Sequence, residues 1–181
     1  MITGANRGIG NSIAIKALED GHRLSIGIRN TESIKGTNLD PRNNEEGKIL
    51  VNYYDAFNEN SANRFVGNTI NKFGSLDTII HCSGIFKSTS LIYNEEERAE
   101  IEDLWKVNIM GPWILTKAAW KHLIANDQAR IQVLVSMSGK RSKSNLAGYT
   151  ISKFGLMGLC QTIRNEGWSK GLRVTAFCPG W

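Results

Sequence analysis

Apolar positions along this chain follow two alternating rhythms. Apolar-rich, strand-like runs occur at 23–29, 48–54, 76–82, 129–136 and 172–178, the pattern of strands buried on both faces. Between them, apolar residues recur every three or four positions, as on a helix with one inward stripe. The first such segment, 9–20, turns Ile9, Ile13, Ala17 and Leu18 inward and stops at Gly21, a residue suited to a helix C-terminus. Residues 61–74 do the same with Phe65, Val66, Ile70 and Phe73. Residues 95–126 give helices carrying Leu104, Trp113, Ile114 and Ala118, and 147–169 give one more. Ahead of the first helix, Ile2 and Thr3 end an apolar stub. Strand-helix alternation predicts an α/β fold, a doubly wound parallel sheet covered on both faces. The polar stretch 30–47 is the only long loop expected, and without repeat or linker, residues 1–181 read as one domain.

Composition narrows the picture by exclusion. The chain has 181 residues, with 22 Lys and Arg against 17 Asp and Glu, for a net charge of +5. The excess is diffuse, without an arginine-rich helix or aromatic–basic interleaving, so a nucleic-acid partner is not expected. No apolar run approaches the ~20 residues of a membrane helix, and no leader pattern opens the chain. The expected location is cytoplasmic, with no membrane partner. Cys82, Cys160 and Cys178 form no metal-ligand spacing, and His22, His81 and His122 are scattered. No metal is therefore expected, and the thiols read as buried in a reducing compartment.

Two local patterns carry chemistry. In the run Thr-Gly-Ala-Asn-Arg-Gly-Ile-Gly over residues 3–10, a glycine turn leads into a helix. Such a turn lets backbone approach a phosphate, which the helix N-terminus then favours. At the other end, Tyr149 and Lys153 stand four residues apart, on one face of a helix. An ammonium beside a phenol favours its phenolate. Ser136 lies thirteen residues upstream of the tyrosine and could hold a substrate oxygen, with Ser138 as its competitor.

Taken together, TGxxxGxG at the N-terminus, followed by Asn108, Ser136, Tyr149 and Lys153, resembles the short-chain dehydrogenase/reductase family. The glycine loop is that of the shorter-chained group, similar to 3-oxoacyl-thioester and carbonyl reductases, and not the TGxxGxxG of epimerase-like members. Between the two ends the resemblance takes in Asp55, the His81-Cys82-Ser83-Gly84 segment, residues 107–111 and Ser136 to Gly139, and it closes on Pro179 and Gly180. It departs at 81–82, where relatives have two asparagines in a segment that stabilises the central sheet. Local stability is what that change puts in question.

The resemblance implies a Rossmann-like fold and an oxidoreductase that interconverts a carbonyl and an alcohol. Tyr149 would be the general acid, Lys153 would tune it and hold the nicotinamide ribose, and Ser136 would bond the developing alkoxide. Asn108 would anchor a water linking Lys153 to solvent. Cofactor contacts would come from Thr3, Gly4, Asn6, Arg7, Gly8, Ile9, Gly10, Arg29, Asp55, Ser83, Gly84, Tyr149, Lys153, Pro179 and Gly180, with Asp55 at the adenine. An acid about 20 residues past the glycine loop would select NAD, but this chain has Arg29 there, and Arg7 within the loop. Two guanidiniums suit a 2′-phosphate, so the expected cofactor is NADP(H). The partner would be a small carbonyl or alcohol substrate, with Lys140, Arg141 and Lys143 favouring an anionic one. The competing reading is a non-catalytic nucleotide-binding sensor or scaffold on the same fold.

Trp105, Trp113, Trp120, Trp168 and Trp181 read as core or interface. Relatives pair the helices around 107–126 and 147–168 between subunits, which implies a homodimer or homotetramer with Trp113, Trp120 and Trp168 as interface candidates. The chain begins two residues before the glycine turn and ends just after Pro179-Gly180. That predicts a fragment lacking most of the first strand and the C-terminal end.

Overall fold

The computed structural model describes residues 1–180, and Trp181 lies outside the described residues. Six strands, β1 (Ile2–Thr3), β2 (Leu24–Ile28), β3 (Ile49–Tyr53), β4 (Thr78–His81), β5 (Arg130–Leu134) and β6 (Arg173–Phe177), form one sheet. All pairs are parallel and the order is β3-β2-β1-β4-β5-β6. This is the doubly wound Rossmann-like arrangement that the strand–helix rhythm predicts. The order reverses between β1 and β4, and the crevice beyond the strand C-termini at such a switch point is where these sheets bind ligands.

Helices α1 (Gly8–Glu19), α2 (Glu59–Phe73), α3 (Glu95–Trp105), α4 (Gly111–Leu123) and α5 (Ala147–Gly167) cover the sheet. The larger core joins Phe65, Leu115, Leu123 and Leu156 to Ile79, Ile131 and Val133 of the sheet. The smaller one sets Ala14 of α1 against Ile2, Ile26 and Ile80. Gly27 makes close packing possible on α2, because a Cβ there would fall 2.5 Å from the Phe65 ring. Phe65 itself is fully buried, and its loss to alanine would cost about 3–5 kcal/mol. Local signals agree with the element ends. Asn58 accepts from Ser61 N–H at the start of α2, and Gly74 closes it in the left-handed region at φ 79°. Asn94 and Glu97 form a reciprocal capping box on α3.

Four features differ from expectation. The 30–47 loop is folded, because Ile34 and Leu39 plug into the smaller core and Asn30 and Asp40 cap two 3₁₀ turns. A second long irregular segment, 82–94, follows β4. Ile9, expected inward, is 52% exposed: it sits in the first turn of α1 and lines the crevice. Finally, α3 and α4 do not meet through a plain α-helical junction. A π-helical turn over Lys106–Met110 joins them and carries Asn108, a distortion often found where a side chain must be re-aimed.

Candidate active site

The switch-point crevice is about 380 Å³ and is walled by Gly4, Asn6, Arg7, Gly8, Ile9, Gly10, Arg29, Asp55, Ser83 and Gly84, among others. Its floor needs glycine. A Cβ at Gly10 would lie 2.5 Å from the Gly4 carbonyl oxygen, so any larger residue would open the turn. Arg7 occupies the N-cap of α1 without a side-chain cap, and no acidic residue stands in that first turn. The helix start therefore faces the crevice with N–H groups and a positive dipole, suited to a phosphate. Arg7 and Arg29 are both exposed on this wall. The donor set thus fits a dinucleotide bearing an additional phosphate. Asp55 accepts from Phe57 N–H and lines the crevice with Tyr54 and Ala56.

Thr3 does not line the crevice. It is buried in β1, and its Oγ1 accepts from the amides of Cys82 and Ser83 at 3.0 Å each. It acts by pinning the end of β4 across the switch point.

A second cavity of about 320 Å³ adjoins the first, sharing Ile9, Cys82, Gly84, Ile85 and Leu134 with it. Ser136, Tyr149, Lys153, Pro179, Gly180 and Phe86 also line it. Helix spacing brings Lys153 beneath Tyr149, with Nζ 5.6 Å from the ring centroid and donating to the Leu134 carbonyl at 3.3 Å. Burial lowers the Lys153 ammonium to about 8. Ser136 lies two residues past β5 and is half-buried at the cavity, whereas Ser138 is buried and does not line it. The Ser136 backbone sits at φ 139°, ψ 158°, a region almost reserved for glycine that costs an L-residue about 1–3 kcal/mol. Its Oγ accepts from the Ser138 amide at 3.1 Å.

Asn108 is buried and lines neither cavity. Its amide clasps Ile85, accepting from that N–H at 2.9 Å and donating to that carbonyl at 3.0 Å, with a third bond to Ser152 Oγ. The Asn108 Oδ1 and Lys153 Nζ both flank Gly84, 3.2 and 3.6 Å from where a Cβ would stand. Sequence reasoning missed Ser152, Phe86 and Thr3's clasp. Phe86 meets Tyr149 edge-on, with centroids 4.9 Å apart, and no spacing rule points to such a pair.

His81 replaces a family asparagine without leaving a gap. It is fully enclosed, its Nε2 bonds Thr116 Oγ1 at 3.2 Å, and burial holds it neutral, at about 3. Among the tryptophans, Trp105, Trp113 and Trp120 line a groove of about 250 Å³ between α4 and α5. Trp168 is elsewhere, stacked under Arg173 at 3.8 Å. Among the described residues no helix is long and apolar enough to cross a membrane, and no His, Cys, Asp or Glu cluster is placed to hold a metal ion.

Comparison with known proteins agrees with this geometry. A model of the short chain dehydrogenase family matches residues 1–181. Agropine synthesis reductase of Rhizobium rhizogenes is 27% identical over 183 residues, covering all of this chain and 41% of its own length. The 3-oxoacyl-[acyl-carrier-protein] reductase FabG of Staphylococcus aureus is 27% identical over 189 residues, 73% of its length. A Tyr-to-Phe variant of ElxO, solved with NADPH bound, superposes with a TM-score of 0.89 at 26% identity, over 99% of this chain and 71% of the other. With its glycine turn at the switch point and a family match along its whole length, this chain belongs to the short chain dehydrogenases, a family of oxidoreductases.

Proposed function

We propose that this chain is the catalytic domain of an NADP(H)-dependent reductase that interconverts a carbonyl and an alcohol, with Tyr149 as its general acid and base. The observation that carries the reading is the placement of a buried Lys153 under the Tyr149 ring, on a cavity continuous with the glycine-walled crevice. NADP(H), when bound, supplies or accepts the hydride. Arg7 and Arg29 would hold its 2′-phosphate, the α1 N-terminus its pyrophosphate, and Asp55 its adenine. Tyr149 donates a proton to the carbonyl oxygen, which Ser136 Oγ holds in place and stabilises as charge develops. Lys153 keeps a positive charge beside the phenol, and Asn108 supports the lysine's route to solvent through the Gly84–Ile85 backbone.

Removing a positioned proton donor costs about 10²–10⁴-fold. Tyr149→Phe is therefore expected to lose that much kcat in the intact protein while binding NADPH within about twofold of wild type. Turnover retained in Tyr149→Phe removes the proposed acid. Ser136→Ala should be as inactive, and Ser138→Ala active.

The substrate class proposed is a small ketone or 3-oxo compound bearing a negative group. Lys140 and Arg141 are exposed directly after the Ser136 turn, and one relative is by name a 3-oxoacyl-[acyl-carrier-protein] reductase. A positive rim raises the local concentration of anions, an effect screened over roughly 8–10 Å at physiological salt. The kcat/KM ratio of matched anionic and neutral ketones should fall with added salt, and fall again in Lys140→Ala/Arg141→Ala. A ratio that moves with neither removes the loop from recognition.

A further inference from the structure

Helix α5, which carries Tyr149 and Lys153, starts without a cap of its own. Its N-cap position is Leu146, which has no side-chain acceptor to offer. The first N–H groups are instead satisfied by the segment between β4 and α3. The Thr89 carbonyl accepts from Ala147 N–H at 3.0 Å and Thr89 Oγ1 accepts from Gly148 N–H at 2.9 Å. Thr89 is 1% exposed, so both bonds are shielded from water. Gly148 permits the approach, because a Cβ there would lie 2.8 Å from Thr89 Oγ1. Next to it, Ser88 Oγ donates to the Asn145 carbonyl at 2.8 Å, and Asn145 holds a left-handed turn at φ 57°.

The same segment has a second anchor. Ile85 is clasped by Asn108 through both its N–H and its carbonyl. Between the two anchors lies Phe86, whose ring meets Tyr149 edge-on at 4.9 Å. The segment is thus fixed at both ends of the stretch that presents Phe86 to the phenol. One end is fixed by the π-turn asparagine and the other by the start of the catalytic helix itself.

We propose that Thr89 is a positioning residue: it caps the catalytic helix from the neighbouring segment and thereby fixes Tyr149 against Phe86. This rests on the reading of Tyr149 as the acid. A side-chain cap replaced by an apolar group loosens chiefly the first turn of its helix. A proton donor displaced by a fraction of an ångström loses rate without losing ligand affinity.

The experiment compares wild type, Thr89→Val, which keeps the volume and loses the acceptor, and Thr89→Ser, which restores the acceptor, in the intact protein. Amide exchange across 146–153 should quicken about fivefold or more in Thr89→Val and return to the wild-type rate in Thr89→Ser. Over the same set, kcat should fall about tenfold in Thr89→Val with KM and NADPH affinity within twofold, and recover in Thr89→Ser. Unchanged exchange in Thr89→Val overturns the cap. Faster exchange with wild-type kcat overturns the positioning role. If wild type itself reduces no carbonyl compound, the functional reading fails separately. The Tyr149 ring resonances, shifted by the Phe86 edge, then decide the positioning role: a shift lost in Thr89→Val and kept in Thr89→Ser supports it, and an unchanged shift overturns it. Should Thr89→Val not fold, Thr89→Ala, which adds no bulk, serves in its place.

Discussion

Arg29 follows β2 directly, exposed on the crevice wall one residue beyond the buried Ile28. A carboxylate at that position would accept from a ribose 2′-hydroxyl and repel a 2′-phosphate. Arg29→Asp is therefore expected to move preference from NADPH toward NADH by one to two orders of magnitude, about 1.4–3 kcal/mol, with calorimetric affinities for both cofactors as the measure. Tighter NADH binding by the wild type sinks the assignment. At this scale the sequence is informative only where neighbours along the chain are also neighbours in space. Tyr149 and Lys153 meet through one helical turn, and the glycines of 4–10 share one loop, so both were legible. Thr3 with Ser83, and Asn108 with Ile85 and Ser152, are joined by bonds between residues 80, 23 and 44 positions apart. Nothing in their spacing announces them.

Element boundaries were legible to within a few residues from the apolar rhythm, with Gly21 as the stop of α1, although α1 and α5 start without a side-chain cap of their own. Burial was less so. Periodicity assigned Ile9 to the inner stripe, but in the first turn of α1 it lines the crevice instead of a core. The π-turn at 106–110 has no sequence signature either. Within α5, Thr150 is buried and its Oγ1 has no hydrogen-bond partner. An unsatisfied buried hydroxyl costs about 1–3 kcal/mol, and valine has nearly the same shape without it. Thr150→Val should raise stability by about 1 kcal/mol, read as a melting-temperature gain of about 2–4 °C. A drop in melting temperature means that the hydroxyl has a partner.

The stability of the whole molecule should respond to pH through two groups buried without charge compensation. His81 is held near 3, well below the ordinary imidazole value near 6.5. The unfolded chain therefore binds the extra proton first, and stability falls as pH drops from about 6.5 toward 3, by up to about 1.4 kcal/mol per pH unit. Lys153 is lowered to about 8, so the chain without cofactor also loses stability as pH falls from about 10.5 to 8, and this group adds no slope below that. Denaturant titrations across pH should show both limbs, with the acid limb flattened in His81→Asn. A limb that persists unchanged in that variant assigns it to other groups. A different consequence follows from the backbone of Ser136, held at φ 139° where glycine rests without penalty. Stability alone favours glycine there, and serine and glycine codons can differ by a single nucleotide. In the proposed chemistry, only the need for that hydroxyl opposes the exchange. A lineage that ceased to use the reaction would therefore drift first at this position, gaining stability as it lost its catalyst.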